Sequence, residues 1–144
     1  MNKKQQGNWA EMAVIKEFLK NDFKVSIPFG DNASYDLIIE DKKGQLYKVQ
    51  VKSTSYEKRK DVYAFKTTKN RINTNQSFKI HYTQNEVDFF ALYNIVLDEI
   101  YLLKYDEIDS DDTYIRTKKL KNSINNSSKI SKDYILDKRI KELF

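Results

Sequence analysis

The protein has 144 residues, a formal net charge of +5, one histidine and no cysteine. This length suits one domain, 1–144. The lack of cysteine excludes a disulfide framework, a thiolate metal site and a cysteine nucleophile, and one histidine excludes a multi-histidine metal site. The sequence has neither a secretory signal pattern nor an apolar run near the ~18 residues of a membrane span. We therefore expect an intracellular, cytoplasmic protein with no membrane partner.

The first half of the chain is predicted to form one helix followed by strands. A helix at 4–20 is indicated by apolar residues that recur on one side of a helical wheel. These residues are Trp9, Met12, Ile15, Phe18 and Leu19. Alternating apolar residues then predict short strands at 23–27 and 35–40. After a turn at 41–44, a third strand is expected at 45–52.

The second half of the chain is predicted to add strands and a closing helix. The predicted elements are a strand at 62–67, a polar loop at 66–79, a hairpin of strands 87–96 and 100–104, an irregular segment at 118–131 and a helix at 131–144. Ser131 is the expected helix cap. Helices before and after a sheet indicate an α/β domain. The segment 118–144 is a C-terminal extension, and its apolar helix serves either as an oligomer surface or as part of the protein's own core.

Basic residues are concentrated in one part of the chain. Between Lys42 and Lys79 there are 11 lysines and arginines and only two acidic residues, so this segment has a net charge of +9. Such clusters are typical of surfaces that bind phosphate backbones by releasing counterions. The alternative is a lysine-rich composition in which lysine is simply the default surface residue. The clustering favours a polyanionic partner.

Three polar residues on neighbouring predicted strands are candidates for chemistry. Gln50 and Lys52 are two positions apart on one strand, so their side chains face the same way. A three-residue turn with Gly44 in the left-handed conformation would place Asp36 opposite Gln50. A turn one residue shorter or longer would place Asp36 on the wrong face. Because Gly44 favours the first register, we expect a carboxylate, an amide and an ammonium group to converge.

Glu11 is a second unusual residue, since the helical wheel places it on the apolar side of the first helix. A buried carboxylate without a partner is costly, so a metal ion or a lysine is expected beside it. If this helix packs on the sheet near Asp36, Glu11 reaches the same cluster. The alternative is a partly exposed Glu11 that pairs with Lys4 or Lys52.

These residues carry a family resemblance. A glutamate in the first helix, a strand aspartate and a Q-x-K on the next strand resemble the PD-(D/E)XK nuclease superfamily. The stretch IPFGDNASYDLIIE, followed by GQLYKVQVKS, looks like its intron-encoded homing endonuclease branch, in which Gln replaces the usual second acid. It is also similar to archaeal Holliday junction resolvases. The resemblance is sharpest from Gln6 to Ser53, and HYTQNEVDFFALYN looks like a later core strand.

Two positions depart from the superfamily pattern. Tyr35 stands where the name of the superfamily has proline, and Gln50 stands where it has an acid. The second change removes one negative ligand, because an amide oxygen binds Mg²⁺ more weakly than a carboxylate does. The fold implied by the resemblance is α/β, with a restriction-endonuclease-like core in which helices flank a central mixed sheet.

The resemblance also implies an activity, which is Mg²⁺-dependent hydrolysis of DNA to 5′-phosphate and 3′-hydroxyl ends, with Mn²⁺ able to substitute. The implied metal ligands are Glu11, Asp36, Gln50 and the Val51 carbonyl. Lys52 would hold the attacking water or stabilise the transition state. A Holliday junction resolvase or a restriction or repair nuclease of the same fold is the alternative. An inert DNA-binding module, in which Gln50 marks decay, is the rival of another class.

Contacts to double-stranded DNA are expected from the basic segment, because Lys suits phosphates and Arg and Asn suit base edges. The candidates are Ser34, Lys58, Arg59, Lys60, Lys66, Lys69, Arg71, Asn73 and Lys79. Ser34 either contacts the scissile phosphate or shapes its turn. One site cuts one strand, so double-strand cleavage requires a homo-oligomer, either a dimer or a tetramer.

Overall fold

The structure, a computed structural model, describes residues 1–73, 75–118 and 129–144, and the side chains of these residues except 70–73. The helices are α1 (Lys3–Lys20) and α2 (Leu136–Leu143). The strands are β1 (Lys24–Ser26), β2 (Leu37–Glu40), β3 (Leu46–Thr54), β4 (Glu57–Arg59), β5 (Val62–Lys66), β6 (Thr68–Asn73), β7 (Gln76–His81), β8 (Phe89–Asn94), β9 (Glu99–Lys104), β10 (Asp112–Arg116) and β11 (Lys129–Ile130). Short 3₁₀ turns span Tyr105–Glu107 and Ser131–Asp133.

The central sheet has five strands in the order β1-β2-β3-β8-β9. It is mixed, because β3 and β8 are parallel while the other neighbours are antiparallel. A second sheet has the order β11-β10-β5-β4, and β6 pairs with β7 in a two-stranded ribbon. The expected α/β architecture with helices on a central mixed sheet is confirmed. In the described part of the chain, no helix combines the length and hydropathy needed to cross a membrane.

Helix α1 begins with a capping box, in which Asn2 and Gln5 each accept from the other's backbone N–H at 2.9–3.0 Å. Its buried face consists of Ala10, Val14 and Phe18, spaced four residues apart. The predicted face was largely wrong. Of its five residues, Phe18 is buried and Ile15 is half-buried, whereas the other three are exposed: Trp9, Met12 and Leu19. The small Ala10 allows the helix to pack closely on the sheet. The predicted face was built from the large apolar residues and therefore did not include Ala10.

Two other predicted elements need correction. The segment 66–79 is not a polar loop, because most of it forms the β6–β7 ribbon. The main-chain ladder pairs Thr68 with His81 and Asn73 with Gln76, but the sequence of these strands is mostly polar, and its apolar alternation is limited to Phe78 and Ile80. Ser131 begins a 3₁₀ turn, and α2 starts only at Leu136. Most of the segment predicted to be irregular, 119–128, lies outside the described residues.

The hydrophobic core lies on both faces of the central sheet. One cluster joins α1 and α2 to the sheet, and the other joins the central sheet to the second sheet. Helix α2 places Leu136 and Ile140 in the first cluster. At its end, the Phe144 ring packs against Phe23 and Tyr47 with centroid distances of 4.9 and 5.2 Å. The last helix therefore packs on its own domain.

Candidate active site

The β2–β3 hairpin has the register that its turn predicts. Leu37 pairs with Val49, so Asp36 lies opposite Gln50. Gly44 has φ +83°, the left-handed conformation that favours glycine. The Asp41 carboxylate accepts from the backbone N–H groups of Lys43 and Gln45, both at 2.9 Å. Local turn chemistry therefore decides which side chains meet further along the hairpin.

Asp36 is held by two hydrogen bonds to the backbone of β3. Its N–H donates to the Val49 carbonyl at 2.9 Å, and its carboxylate accepts from the Val51 N–H at 2.8 Å. Burial raises the pKa of this carboxyl, although the Val51 bond and the nearby Lys52 ammonium oppose the change. Desolvation is the dominant effect, so the site holds a carboxylate in an environment poor in water.

Gln50 and Lys52 both lie on β3 beside Asp36. Val49 and Val51 belong to the cluster under α1, so Gln50 and Lys52 face the opposite side of the strand. The Gln50 side-chain amide donates to the Val51 carbonyl at 3.3 Å. The Lys52 ammonium donates to the carbonyl of residue 68 at 3.2 Å. Burial lowers the pKa of Lys52, and Asp36 opposes that shift.

Glu11 approaches the same place from helix α1. It is half-buried, and its pKa is raised first by desolvation and second by repulsion from the Asp36 carboxylate. The Asp36 carboxylate is therefore close enough to disfavour the charge of Glu11, and Lys52 interacts with Asp36. The structure thus links Glu11, Asp36 and Lys52 through their charges, and it places Gln50 opposite Asp36 and on the same face of β3 as Lys52.

The donor set of this site suits a hard divalent cation. Across residues 1–73, 75–118 and 129–144, no three Asp, Glu, His or Cys side chains form a metal-binding group. The acids that interact are Glu11 and Asp36, and burial is the main cause that raises the pKa of each carboxyl. The remaining oxygen donors are the Gln50 amide and the Val51 carbonyl. An all-oxygen set of this kind is what Mg²⁺ prefers.

A second group of polar residues lies near the site, and sequence analysis did not predict the contacts between its members. Lys69 forms an ion pair with Glu86, and its ammonium also donates to the Ser34 hydroxyl at 3.4 Å. Glu86 also accepts from the backbone and the hydroxyl of Thr83, both at 3.0 Å. The Lys69 ammonium and then the Ser34 hydroxyl lower the pKa of Glu86 to about 2. Ser34 is thus drawn into an ion-pair network next to Asp36.

Tyr82 was also missed by sequence analysis. It is buried, with 6% of its surface exposed, although its neighbours His81 and Thr83 are exposed. Lys52 and Lys69 lie over its ring, with their ammonium nitrogens 5.3 and 5.2 Å from the ring centroid. An aromatic residue in an otherwise polar stretch was the available signal, but its partners come from distant parts of the chain.

The other predicted DNA contacts are more widely spread. On β4, the Lys58 ammonium donates to the Tyr114 hydroxyl at 2.8 Å. The remaining described side chains are exposed: Arg59, Lys60, Lys66 and Lys79. The side chains of Arg71 and Asn73 lie outside the described part of the structure. Among the predicted DNA contacts whose side chains the structure describes, Ser34 and Lys69 have contacts that link them to the Asp36 neighbourhood.

Comparison with known proteins identifies relatives of this architecture. The sequence profile of the family described as PD-(D/E)XK endonuclease matches residues 1–137. Among solved structures, the chain is similar to a bacterial homing endonuclease, I-Ssp6803I, with 28% sequence identity and a TM-score of 0.79. That match covers 97% of this chain and 93% of the other. No curated protein sequence matches the chain.

Proposed function

The chain belongs to the PD-(D/E)XK endonuclease family, and we propose that it is a Mg²⁺-dependent, sequence-specific DNA endonuclease of homing type. Its expected products carry 5′-phosphate and 3′-hydroxyl ends, and Mn²⁺ is expected to replace Mg²⁺. The homing assignment is supported by the similarity to a bacterial homing endonuclease over nearly the whole of both chains. Its partner is double-stranded DNA, and cleavage of both strands calls for a dimer or a tetramer.

The observation that carries this proposal is the position of Asp36. Its carboxylate is anchored to the Val51 N–H at 2.8 Å and interacts electrostatically with Glu11 and Lys52. Two acids and one ammonium group therefore meet at the start of β2. Phosphodiester hydrolysis needs such a set, because negative charge must hold a cation while positive charge meets the phosphate.

In the proposed site, Mg²⁺ would be held by Glu11, Asp36, Gln50 and the Val51 carbonyl. The ion supplies charge neutralisation at the phosphate and a more acidic water. Gln50 now donates to the Val51 carbonyl, so a rotated Gln50 amide would free that carbonyl and present its own oxygen. Rotation of the Gln50 side chain would therefore make two oxygen donors available to the ion, its own amide oxygen and the Val51 carbonyl.

Lys52 has a separate role in the proposed mechanism. Its ammonium is half-buried and points toward the start of β6, where it donates to a backbone carbonyl at 3.2 Å. An ammonium group can exchange that neutral acceptor for an anionic phosphate oxygen, since hydrogen bonds to charged acceptors are stronger. Lys52 would then stabilise the charge that develops on the phosphate, or orient the attacking water.

A plasmid-nicking assay tests the proposal. Wild-type protein should nick supercoiled DNA with Mg²⁺ or Mn²⁺ and not with EDTA. Lys52→Ala and Asp36→Ala should lose at least ~10²-fold in rate while still binding DNA in Ca²⁺. The matched controls are Lys24→Ala and Asp106→Ala, both at exposed positions, and these should cleave like the wild type.

The substrate class needs a second assay with a four-way junction offered beside linear duplex. Preferential cutting of the junction at moderate salt would reject the homing assignment in favour of a junction resolvase. DNA binding without cleavage under any divalent cation would favour an inert binding module. Mapping cleavage on the DNA that flanks the protein's own gene should reveal one defined site.

A further inference from the structure

Tyr82 has a fixed position next to the proposed active site. It directly follows β7, and its ring packs edge-to-face against Phe90 with a centroid distance of 5.2 Å and an interplanar angle of 83°. Phe90 is fully buried on β8 and pairs in register with Gln50 on β3. The ring is therefore held against the strand that neighbours the one carrying Gln50 and Lys52.

Two ammonium groups from different strands meet at this ring. Lys52 on β3 has its nitrogen 5.3 Å from the ring centroid, and Lys69 on β6 has its nitrogen 5.2 Å from it. Both distances lie within the ~6 Å over which an aromatic face attracts a cation. Lys69 is also paired with Glu86, and that carboxylate offsets the repulsion between the two cations.

We propose that Tyr82 is a positioning residue of the nuclease site, whose ring face holds the Lys52 ammonium in place for the scissile phosphate. This inference rests on the proposed endonuclease function. A half-buried ammonium group needs compensation for its lost water. The nearby Asp36 carboxylate provides part of it, but an anion that accepted hydrogen bonds from the ammonium would compete with the phosphate for the N–H donors. A ring face attracts the charge through its quadrupole and leaves those donors to the substrate.

The same ring also ties the β6–β7 ribbon to the site. Lys69 follows Thr68 at the start of β6, and the Thr68 carbonyl accepts from the Lys52 ammonium. Ring, ribbon and catalytic lysine are thus joined by three contacts. Loss of the ring face should therefore slow the chemical step more than it weakens DNA binding.

A fluorination series at position 82 tests the proposal without changing the size of the ring. The variants are Tyr82→Phe and phenylalanines that carry one, two or three ring fluorines at this position, since each fluorine weakens the negative face. Tyr82→Phe should cleave within twofold of the wild type under single-turnover conditions. Increasing fluorination should lower the rate progressively, to about 3- to 30-fold in total. The Kd for DNA in Ca²⁺ should change by less than about twofold.

A rate that does not depend on fluorination would overturn the positioning role. Phe65→Leu is the packing control, because Phe65 belongs to the same core cluster as Tyr82 and its ring packs against Tyr101. It should lower the melting temperature and leave the single-turnover rate within twofold. An equal slowing in Phe65→Leu would mean that packing alone explains the effect, which also rejects the proposal.

An NMR measurement separates this inference from the proposed function. In protein labelled with ¹³C-lysine, the ring current of Tyr82 should displace the ε-CH₂ signal of Lys52, assigned through Lys52→Arg, from those of exposed lysines. Tyr82→Leu should abolish the displacement, and Tyr82→Phe should keep it. A signal that Tyr82→Leu leaves unchanged overturns the positioning role even if the protein cleaves DNA. Failure of the wild type to cleave any DNA overturns the proposed function itself.

Discussion

The backbone N–H of Val51 donates to the Asp36 carboxylate at 2.8 Å. This contact joins the residue that precedes β2 to the strand that carries Gln50 and Lys52. It orients the acid through a main-chain group, which no substitution at position 51 other than proline can remove.

We predict that Asp36→Asn stabilises the metal-free protein at pH 7 while abolishing cleavage. Burial raises the pKa of Asp36 above the unfolded value near 3.8, so the folded state binds a proton here more tightly. Stability from this group is full below pH 3.8 and is lost as the pH rises through the raised folded value. Asn keeps an acceptor for the Val51 N–H. Urea unfolding in EDTA at pH 7 should show a gain of about 0.5–2 kcal/mol.

The pH dependence of this gain provides its control. The advantage of Asp36→Asn should shrink as the pH falls toward 3.8, because the wild-type carboxyl then becomes protonated and neutral. A gain that instead grew on acidification would contradict the assignment of Asp36 as a desolvated acid.

Divalent cations should stabilise the wild type through the same pair of acids. A ligand that binds only the folded state adds about 2.7 kcal/mol at a hundredfold excess over its Kd. Thermal unfolding should therefore shift upward in Mg²⁺ or Mn²⁺ relative to EDTA. Glu11→Gln should reduce this shift, whereas Glu17→Gln on the same helix should keep it. Equal shifts in both variants would remove Glu11 from the metal site.

Exposed lysines of the basic segment should contribute to DNA affinity mainly through phosphates. Lys66 and Lys79 are exposed, on β5 and β7 respectively. Replacing either by Ala should weaken binding to all sequences alike and lower the slope of log K against log salt by about one. Lys132→Ala, at an exposed position in the C-terminal part, is the control. If the slope were as unchanged in Lys66→Ala and Lys79→Ala as in the control, the DNA would bind to a different surface of the protein.

Arg139 should matter for stability and not for cleavage. It is 9% exposed, it donates to the Leu102 carbonyl at 3.1 Å, and it pairs with Glu107. Arg139→Met removes the side-chain donor to the Leu102 carbonyl and leaves Glu107 with its hydrogen bond from the Lys104 N–H at 3.0 Å. We expect a loss of about 2–4 kcal/mol in the free energy of unfolding. Lys138→Met removes only exposed ion pairs and should cost less than about 1 kcal/mol. Calorimetry measures both, and single-turnover rates at 25 °C should match the wild type.

The amino-acid sequence alone determined the local geometry of the site. Gly44 sets the turn, the turn sets the β2–β3 register, and the two-residue period of a strand puts Gln50 and Lys52 on one face. Each step links residues close in sequence, so backbone conformation alone is enough to predict it. The same reasoning identified Glu11 as a carboxylate that lies too close to the apolar face to be an ordinary surface residue.

Only the tertiary structure decided what surrounds that geometry. The buried face of α1 runs through Ala10 rather than Trp9, because packing distance to the sheet selects a small residue there. The β6–β7 ribbon has few apolar residues in its sequence, and the alternation of Phe78 and Ile80 alone is too short to predict a strand. The meeting of Lys52 and Lys69 over the Tyr82 ring joins three elements far apart in sequence. Contacts of this kind depend on how the sheets and the ribbon pack together, and local sequence patterns carry no information about that packing.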